Sequence, residues 1–316
     1  MTNDVSYTTE EIAKLLKISK LTVYDLIKKG ELPAYRVGKQ MRIDATDLEA
    51  YKARAREGRM PPAAAPAPSG ASRPEAVFAP GIRPLVITGQ DISLDMLAKH
   101  LEKQAPGVRP LRSYVGSLDS LISMYRGESD IVSTHLLDGD TGEYNIPYIR
   151  KLLVGFSYIV VHLLTRNAGL YVPQGNPKGL RSWGDLAQPG LRIANREKGS
   201  GARVLLDEQL RLHGIAPGGL AGYESEESSH MGVAGKVAAG EADVGVGIEK
   251  AARIVGGVDF IPLIRERYDL VMLKKPDNLE WIEAVRRILQ SDAFLGELRS
   301  IGGYDLTETG KVLLET

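Results

Sequence analysis

The sequence contains no cysteine among its 316 residues. This absence excludes disulfide bonds and thiolate metal sites, and nothing in the composition indicates an oxidising compartment. Forty basic and forty acidic side chains cancel, so the net charge of the whole chain gives no argument for any partner. Such an argument must come from local clusters of charge.

Long apolar runs are also missing. The longest, such as "YIVVHLL", are far shorter than a membrane span. The N-terminus, "MTNDVSYTTEEIAKLL", carries acids where a signal peptide has basic residues, and no apolar segment follows it. With 43% apolar and 25% charged residues, the chain is expected to be globular and cytoplasmic, without a membrane partner.

Local motifs of catalysis and metal binding are lacking as well. The stretch "REKGSGAR" has neither the spacing of a Walker A loop nor the third glycine of a dinucleotide-binding motif. The five histidines show no paired metal-ligand spacing, and no Gly-x-Ser-x-Gly motif is present. We expect no enzyme activity, no cofactor and no metal bound directly by side chains. A catalytic site assembled from distant residues stays open as an alternative.

A stretch rich in proline and alanine divides the chain. Seven prolines fall between residues 57 and 84, and seven of the remaining positions are alanine. Such a composition cannot bury a core and is typical of a semi-extended tether. We therefore expect an N-terminal domain over 1–56, a linker over 57–83 and a large domain over 84–316.

Residues 1–56 have the pattern of two short helices, a hairpin and a third helix. "YTTEEIAKLL" begins with Thr8 or Thr9 as a helix cap, "SKLTVYDLIKKG" ends at a glycine, and "LPAYRVGKQMRI" alternates as a hairpin does. Between residues 12 and 42, eight lysines and arginines stand against two acids. Such a basic patch is typical of surfaces that bind phosphate backbones.

This order of elements resembles the excisionase-like branch of the winged helix-turn-helix superfamily, which also includes MerR regulators. The resemblance implies that the second helix enters the major groove of DNA and that the hairpin forms a wing on the backbone or minor groove. The residues that it implies for DNA contact are Ser19, Lys20, Thr22, Tyr24, Lys28, Arg36, Lys39, Gln40 and Arg42. A solvated basic face on a protein-binding module is the alternative.

The large module alternates strands and helices twice. The segments "YRGESDIVSTH" and "AAGEADVGVGI" are alike, which predicts two similar lobes with a cleft between them. Two apolar stretches, "LLVGFSYIVVHLLTRNAGLYVP" and "VDFIPLIRERYDLVMLKK", are expected to cross between the lobes. The prediction is an α/β, type II periplasmic-binding-protein-like domain, with lobe one over 84–165 and 266–316 and lobe two over 166–265.

Four segments carry a second resemblance. The series "GSLDSLISMYRGESDIVSTHLLDGDTGEYNIPYIRKLL", "YVPQGNPKGLRSWGDLAQPGLRIANREKGSGARVLLD", "GYESEESSHMGVAGKVAAGEADVGVGIEKAAR" and "RYDLV" is similar to the binding-protein-like domain of molybdate-responsive regulators. This resemblance implies that molybdate or tungstate is the effector. The residues alone do not separate these anions from sulfate, phosphate or an organic anion.

In a cleft of this kind, converging helix N-termini favour an anion. The predicted anion contacts are Thr88, Gly89, Gln90, Ser117, Ser133 and Thr134 from lobe one, and Arg196, Ser200, Gly201, Arg203 and Tyr223 from lobe two. Each has a plain structural alternative as a helix cap, a core residue or a solvated base. His135 and His230 are expected to line the cleft, and Tyr144 and Tyr268 either close over the ligand or lie in the core.

The sequence therefore predicts a transcriptional regulator that senses a small oxyanion and binds double-stranded DNA as a homodimer. Two alternatives stay open. One is a cytoplasmic oxyanion binding or storage protein without gene control, and the other is an enzyme that acts on a small anionic metabolite.

Overall fold

The computed structural model describes residues 6–16, 23, 26–27, 32–37, 40–56 and 83–316. The chain forms two compact units, Met1–Ala76 and Val77–Thr316. The division between them falls within the segment predicted as a linker. The exact domain and lobe boundaries stay predictions.

The N-terminal unit contains a small antiparallel sheet and two fully described helices. Its elements are β1 (Ser6–Thr8), α1 (Thr9–Leu16), β2 (Tyr35–Val37), β3 (Gln40–Asp44) and α2 (Ala45–Arg56). The strand order is β1-β3-β2, and β2 and β3 form the predicted hairpin. Between α1 and β2, Val23, Leu26 and Ile27 are helical, while the rest of the predicted second helix lies outside the described residues.

Thr8 is the helix cap expected at the start of α1. Its hydroxyl accepts from the backbone N–H of Glu11 at 3.3 Å, and the Glu11 carboxylate accepts from the Thr8 N–H at 2.8 Å. This reciprocal pair is a capping box. The helix packs on a core of fully or almost fully buried apolar side chains, which comprises Ile12, Val23, Leu32, Ile43 and Leu48.

The C-terminal unit is built on one mixed sheet of ten strands. The strands are β4 (Arg83–Thr88), β5 (Val108–Ser113), β6 (Ile131–Thr134), β7 (Tyr158–Pro173), β8 (Ile193–Arg196), β9 (Glu226–Glu227), β10 (Val244–Ile248), β11 (Val258–Leu273), β12 (Tyr304–Asp305) and β13 (Val312–Glu315). The helices are α3 (Ser93–Gln104), α4 (Ser117–Tyr125), α5 (Ile146–Leu152), α6 (Gly201–Leu212), α7 (His230–Ala238), α8 (Glu249–Val255), α9 (Leu279–Leu289) and α10 (Asp292–Ile301).

Two long antiparallel strands, β7 and β11, run through the whole sheet. The main path is β5-β4-β6-β11-β7-β10-β8-β9, with β12 and β13 paired to β7. Three mutually parallel strands lie on each side of this central pair. On the side of β11 they are β6, β4 and β5, in that order. On the side of β7 they are β10, β8 and β9. We call the half that contains β4–β6 lobe one and the half that contains β8–β10 lobe two.

Both faces of each lobe carry an apolar core. In lobe one, helices α3, α9 and α10 cover one face, with Leu94, Leu97 and Leu101 of α3 fully buried, while α4 and α5 cover the other. In lobe two, α6 packs on one face and α7 and α8 on the other. Full burial of each such leucine contributes about 1.5–3 kcal/mol. In the part of the chain that the structure describes, no helix is long and apolar enough to span a membrane.

Candidate functional site between the two lobes

A cavity of about 510 Å³ lies between the lobes. From lobe one and the central strands it is lined by Gln90, Asp91, Ile92, Tyr114, His135, Arg166, Tyr268 and Tyr304. From lobe two it is lined by residues around the start of α7, namely Ser228, Ser229, His230 and Met231, and by residues just before and along α8, namely Ile248, Lys250, Ala251 and Ile254. A ligand in this space would therefore touch both lobes.

A buried ion network lies beside this cavity. Arg166 on β7 and Glu266 on β11 are directly opposed in the strand register. Arg166 Nε donates to Glu266 Oε2 at 2.6 Å, and its Nη1 donates to Asp91 Oδ2 at 2.6 Å. The second oxygen of Glu266 lies 2.6 Å from His135 Nδ1. The network joins the β4–α3 turn, the end of β6 and both central strands.

The ionised state of this network follows from its pairing. Burial, the largest single effect, would raise the pKa of Glu266 and of Asp91. The Arg166 guanidinium together with the hydrogen bonds to each carboxylate, and for Glu266 the charge of His135, outweighs burial and lowers both pKa values. Burial likewise opposes the charge of Arg166, yet the two carboxylates raise its pKa above the ordinary value. All three groups are charged at neutral pH. Removing one partner of such a buried pair typically costs about 3–5 kcal/mol.

Two tyrosines complete the polar side of the cavity. Tyr304 donates its hydroxyl to Asp91 at 3.0 Å. The Tyr268 hydroxyl hydrogen-bonds Ser133 Oγ at 2.8 Å, and its ring lies 4.6 Å from the Arg166 guanidinium carbon. Burial raises the pKa of Tyr268 to about 12, so its hydroxyl stays protonated at neutral pH.

Lys250 and His230 line the cavity from lobe two. Lys250 Nζ and His230 Nδ1 are both buried without a hydrogen bond, and Lys250 Nζ lies 5.1 Å from the centre of the Tyr304 ring. Burial lowers the pKa of Lys250. Burial, followed by the positive charges of Arg196 and Arg166, holds the pKa of His230 well below its usual value. Leaving a buried polar group unpaired costs about 1–3 kcal/mol, so these are the groups that a ligand would satisfy.

The hydroxyls predicted to bind an anion from lobe one are engaged within the protein. Thr88 Oγ1 donates to the Ile131 carbonyl at 3.4 Å, and Ser133 Oγ donates to the Thr88 carbonyl at 3.1 Å. Thr134 Oγ1 donates to an Asn145 side chain at 3.2 Å. These contacts tie the ends of β4 and β6 together.

Two of the three other predicted positions in lobe one, Ser117 and Gly89, have structural roles as well. Ser117 Oγ accepts from the His135 N–H at 3.3 Å. At Gly89, with φ of 135°, an added Cβ would lie 1.8 Å from Ser133 Oγ, so this turn requires glycine.

The predicted lobe-two residues form a second network. Ser200 caps α6 by accepting from the Arg203 N–H at 3.3 Å, and it donates to the Glu197 carbonyl at 2.9 Å. Arg203 Nε donates to Asp207 at 3.1 Å, and the Tyr223 ring stacks on its guanidinium at 4.1 Å. These side chains are held by lobe two itself.

The segment "ANREKGSGAR" lies directly against lobe one. Arg196 donates to Gln90 Oε1 at 2.6 Å, and the Leu118 N–H donates to the Gly199 carbonyl at 2.9 Å. An added Cβ at Gly201 would be 2.3 Å from His135 Cε1, and one at Gly116 would be 2.7 Å from the Gly199 carbonyl oxygen. The glycines of this segment therefore allow close contact between the lobes.

Of the eleven residues predicted to contact an anion, all of which the structure describes, Gln90 alone lines the cavity. The ligand roles of all eleven stay predictions. His135, His230 and Tyr268 line the cavity, whereas Tyr144 is buried in the lobe-two core. Sequence reasoning missed Asp91, Arg166, Glu266 and Lys250. Charged residues within the apolar strands "HLLTRNAG" and "PLIRERYDLV" were the available signal for Arg166 and Glu266, because charges are rarely buried unpaired.

Most residues predicted to contact DNA lie outside the described residues. These are Ser19, Lys20, Thr22, Tyr24, Lys28 and Lys39. The backbones of Arg36 and Gln40 lie in β2 and β3, opposite Met41 and Val37 respectively. Arg42, on β3, donates to Ser6 Oγ at 3.2 Å, so it also supports the sheet.

Within residues 6–16, 23, 26–27, 32–37, 40–56 and 83–316, no group of three or more histidines and carboxylates could hold a metal ion.

Comparison with known proteins gives two domain matches. A family model described as a PBP superfamily domain matches residues 98–290, which is more than half of the chain, and one described as a helix-turn-helix domain matches residues 6–56. The chain is 52% identical over 316 residues to YvgK of Bacillus subtilis (strain 168), and the match covers 100% of both chains. The two predicted modules are thereby confirmed.

Solved structures agree on the fold. A mutant of OxyR from Corynebacterium glutamicum with bound hydrogen peroxide matches 93% of this chain and 89% of its own, with a TM-score of 0.50 and 14% identity. The ancestral amino acid-binding protein AncCDT-1 matches 69% of this chain and 94% of its own, with a TM-score of 0.50 and 17% identity. At these identities the likeness shows the fold alone, and it confirms the predicted type II periplasmic-binding-protein-like domain.

A helix-turn-helix domain joined to a domain of this kind fits a ligand-responsive DNA-binding regulator. The chain belongs to the family described as PBP superfamily domain, and it carries a helix-turn-helix domain at its N-terminus.

Proposed function

We propose that this protein is a transcriptional regulator in which a small anion binds in the interlobe cavity and changes how the helix-turn-helix domain engages duplex DNA. One observation carries the proposal. Lys250 lines a cavity of about 510 Å³, and its Nζ is buried without a hydrogen-bond partner, over the Tyr304 ring. A buried amino group that has no hydrogen-bond partner in the protein supports a ligand as that partner.

The coupling needs a ligand that prefers one arrangement of the lobes. Gln90 and Tyr304 face the cavity from lobe one, while Lys250 and His230 face it from lobe two. An anion can contact all four only when the lobes are close, so it favours the closed arrangement. A ligand with equal affinity for open and closed lobes would shift nothing.

The specific effector, the assembly and the location belong to the proposal. Resemblance to molybdate-responsive regulators puts molybdate and tungstate first among the anions to test, followed by sulfate and phosphate. We propose that a homodimer sets the spacing of two DNA half-sites and that lobe closure alters this spacing. We further propose that the protein acts in the cytoplasm, where its DNA target would lie.

The experiment is a duplex titration by fluorescence anisotropy, with and without each anion, over a range of salt concentrations. The regulator proposal expects salt-dependent duplex binding that one of the anions changes. Absence of salt-dependent binding would refute it. Anion binding that leaves duplex affinity unaltered would instead favour an anion binding or storage protein, and turnover of a phosphorylated substrate would favour an enzyme.

A further inference from the structure

We propose that the effector is an organic monoanion with a flat, apolar body, whose acidic group binds Lys250. This inference rests on the proposed function and narrows its ligand. Three features of the cavity carry it, namely its size, its charge and its apolar surface.

The cavity is larger than an inorganic oxyanion needs. Its volume of about 510 Å³ falls within the range of roughly 300–1,000 Å³ found for sites of organic small molecules. At about 30 Å³ for each water, it has room for on the order of 17 waters. A tetrahedral oxyanion has five heavy atoms and would displace only a few of them. A larger ligand fills the space and gains contacts with both lobes.

The charge around the cavity matches a ligand of low charge. The side chains of Asp91, Glu266, Arg166 and Lys250 sum to zero, and Arg166 is already paired with both carboxylates. The start of α7 adds roughly half a positive charge. A doubly charged oxyanion would leave a large negative excess beside two buried carboxylates, whereas a monoanion is nearly balanced.

The mouth of the cavity is apolar on both sides. Ile92 and Tyr114 of lobe one are 47% and 62% exposed, and Met231 and Ile254 of lobe two are 51% and 61% exposed. Each of them lines the cavity. A flat apolar body placed between them would remove this surface from water.

The Tyr114 ring is already held in position for such a contact. Its hydroxyl donates to Asp95 at 2.9 Å, and the Arg112 guanidinium lies 4.8 Å from the ring centre. An aromatic ring that is fixed before binding loses little conformational entropy when a ligand stacks on it.

The test compares aromatic monoanions with inorganic oxyanions on the full-length protein. Benzoate, 2-naphthoate and indole-3-acetate form the first group, 2-naphthamide is the neutral control, and molybdate, tungstate and sulfate form the second group. Thermal shift at up to about 10 mM detects even millimolar binders, because bound ligand stabilises the fold. Calorimetry then measures Kd for the wild type and three variants.

The variants are Lys250→Met, Ile254→Ser and, as a matched control away from the cavity, Lys275→Gln. We expect at least one aromatic monoanion to stabilise the protein more than 2-naphthamide and more than any oxyanion. Lys250→Met should weaken it at least about tenfold and Ile254→Ser severalfold, whereas Lys275→Gln should leave Kd unchanged. Because Lys250 Nζ is buried without a hydrogen-bond partner, Lys250→Met should fold without loss of melting temperature.

The outcomes separate this inference from the proposed function. If molybdate, tungstate or sulfate stabilises the protein and the aromatic monoanions do not, the inference is overturned while the proposed function stands. If aromatic monoanions bind equally well to Lys250→Met, the assignment of Lys250 is overturned. If no anion of either group binds, the inference and the proposed function both fail.

Discussion

Arg166 and Glu266 stand directly opposite each other on the two strands that join the lobes, and Arg166 Nε donates to Glu266 Oε2 over 2.6 Å. Both side chains are almost fully buried, at 5% and 1% exposure. Through Asp91 and His135 the same pair reaches the ends of β4 and β6. Buried ion pairs, in addition to strand pairing, therefore hold together the strands at the junction of the lobes.

Replacing Glu266 by glutamine should destabilise the protein by about 3 kcal/mol, because the buried charge of Arg166 loses half of its compensation. Urea denaturation followed by circular dichroism measures this change. Arg265→Gln is the matched control, since Arg265 is the adjacent residue and pairs with Asp305 at an exposed position. Its cost should stay below about 1 kcal/mol. Equal costs for the two variants would contradict a buried network at the junction.

Gly201→Ala should hinder contact between the lobes, because the added Cβ would lie 2.3 Å from His135 Cε1. We expect weaker binding of the stabilising anion by roughly tenfold, equivalent to about 1.4 kcal/mol, with secondary structure retained. Gly235→Ala is the control, since its Cβ would meet nothing within 4 Å and alanine favours the α7 helix. Calorimetry compares the two variants, and an unchanged Kd for Gly201→Ala would show that binding does not need this contact.

Acid should destabilise the protein through His230. Its pKa in the folded state is held well below 6.5, first by burial and then by Arg196 and Arg166, with Glu266 opposing and His135 adding to the effect. Below about pH 6.5, His230 therefore binds a proton in the unfolded chain but not in the folded chain. The free energy of unfolding falls as the pH falls through this range. The loss reaches at most about 1.4 kcal/mol for each pH unit.

The check is the free energy of unfolding of wild type and His230→Asn at pH 7.5, 6.5 and about 5. The variant should lose less stability than the wild type between the last two values. Parallel curves would mean that His230 takes up its proton normally in the folded state.

On the DNA-binding unit, changing Lys39 and Arg42 to alanine should weaken duplex binding for all sequences alike. The slope of log K against log salt should fall by about 0.9 for each lost phosphate contact, or roughly 1.8 for both. Lys52→Ala on α2, where Lys52 pairs with Glu49 at 2.8 Å, is the control. Since Arg42 also bonds Ser6, a thermal melt checks that the double variant is folded. An unaltered slope would exclude the predicted wing from phosphate contact.

Periodicity and resemblance predicted the elements of both units. The capping box at Thr8 and Glu11, the repeated helix-strand units and the long crossing strands all leave local patterns in sequence. The site was harder, because its groups meet only in three dimensions. Asp91, Arg166 and Glu266 come from distant positions, and no spacing rule brings them together.

The segment "ANREKGSGAR" shows the same limit. Its serine hydroxyl, its glycines and its basic side chains could bind an anion, and they could equally cap a helix that packs against a neighbouring lobe. The structure gives Ser200 and Arg203 partners within lobe two, and it gives Gly201 a close contact with His135. Which of these arrangements a sequence adopts depends on packing, which composition does not encode.

The most direct test of the account joins the two units in one measurement. Full-length wild type and Lys250→Met are titrated onto a duplex selected from a random-sequence pool, with and without the most stabilising anion of the panel. We expect the anion to change the duplex Kd of the wild type by at least about fivefold and to leave that of Lys250→Met unchanged. Anion binding with the same duplex Kd in both states would contradict it.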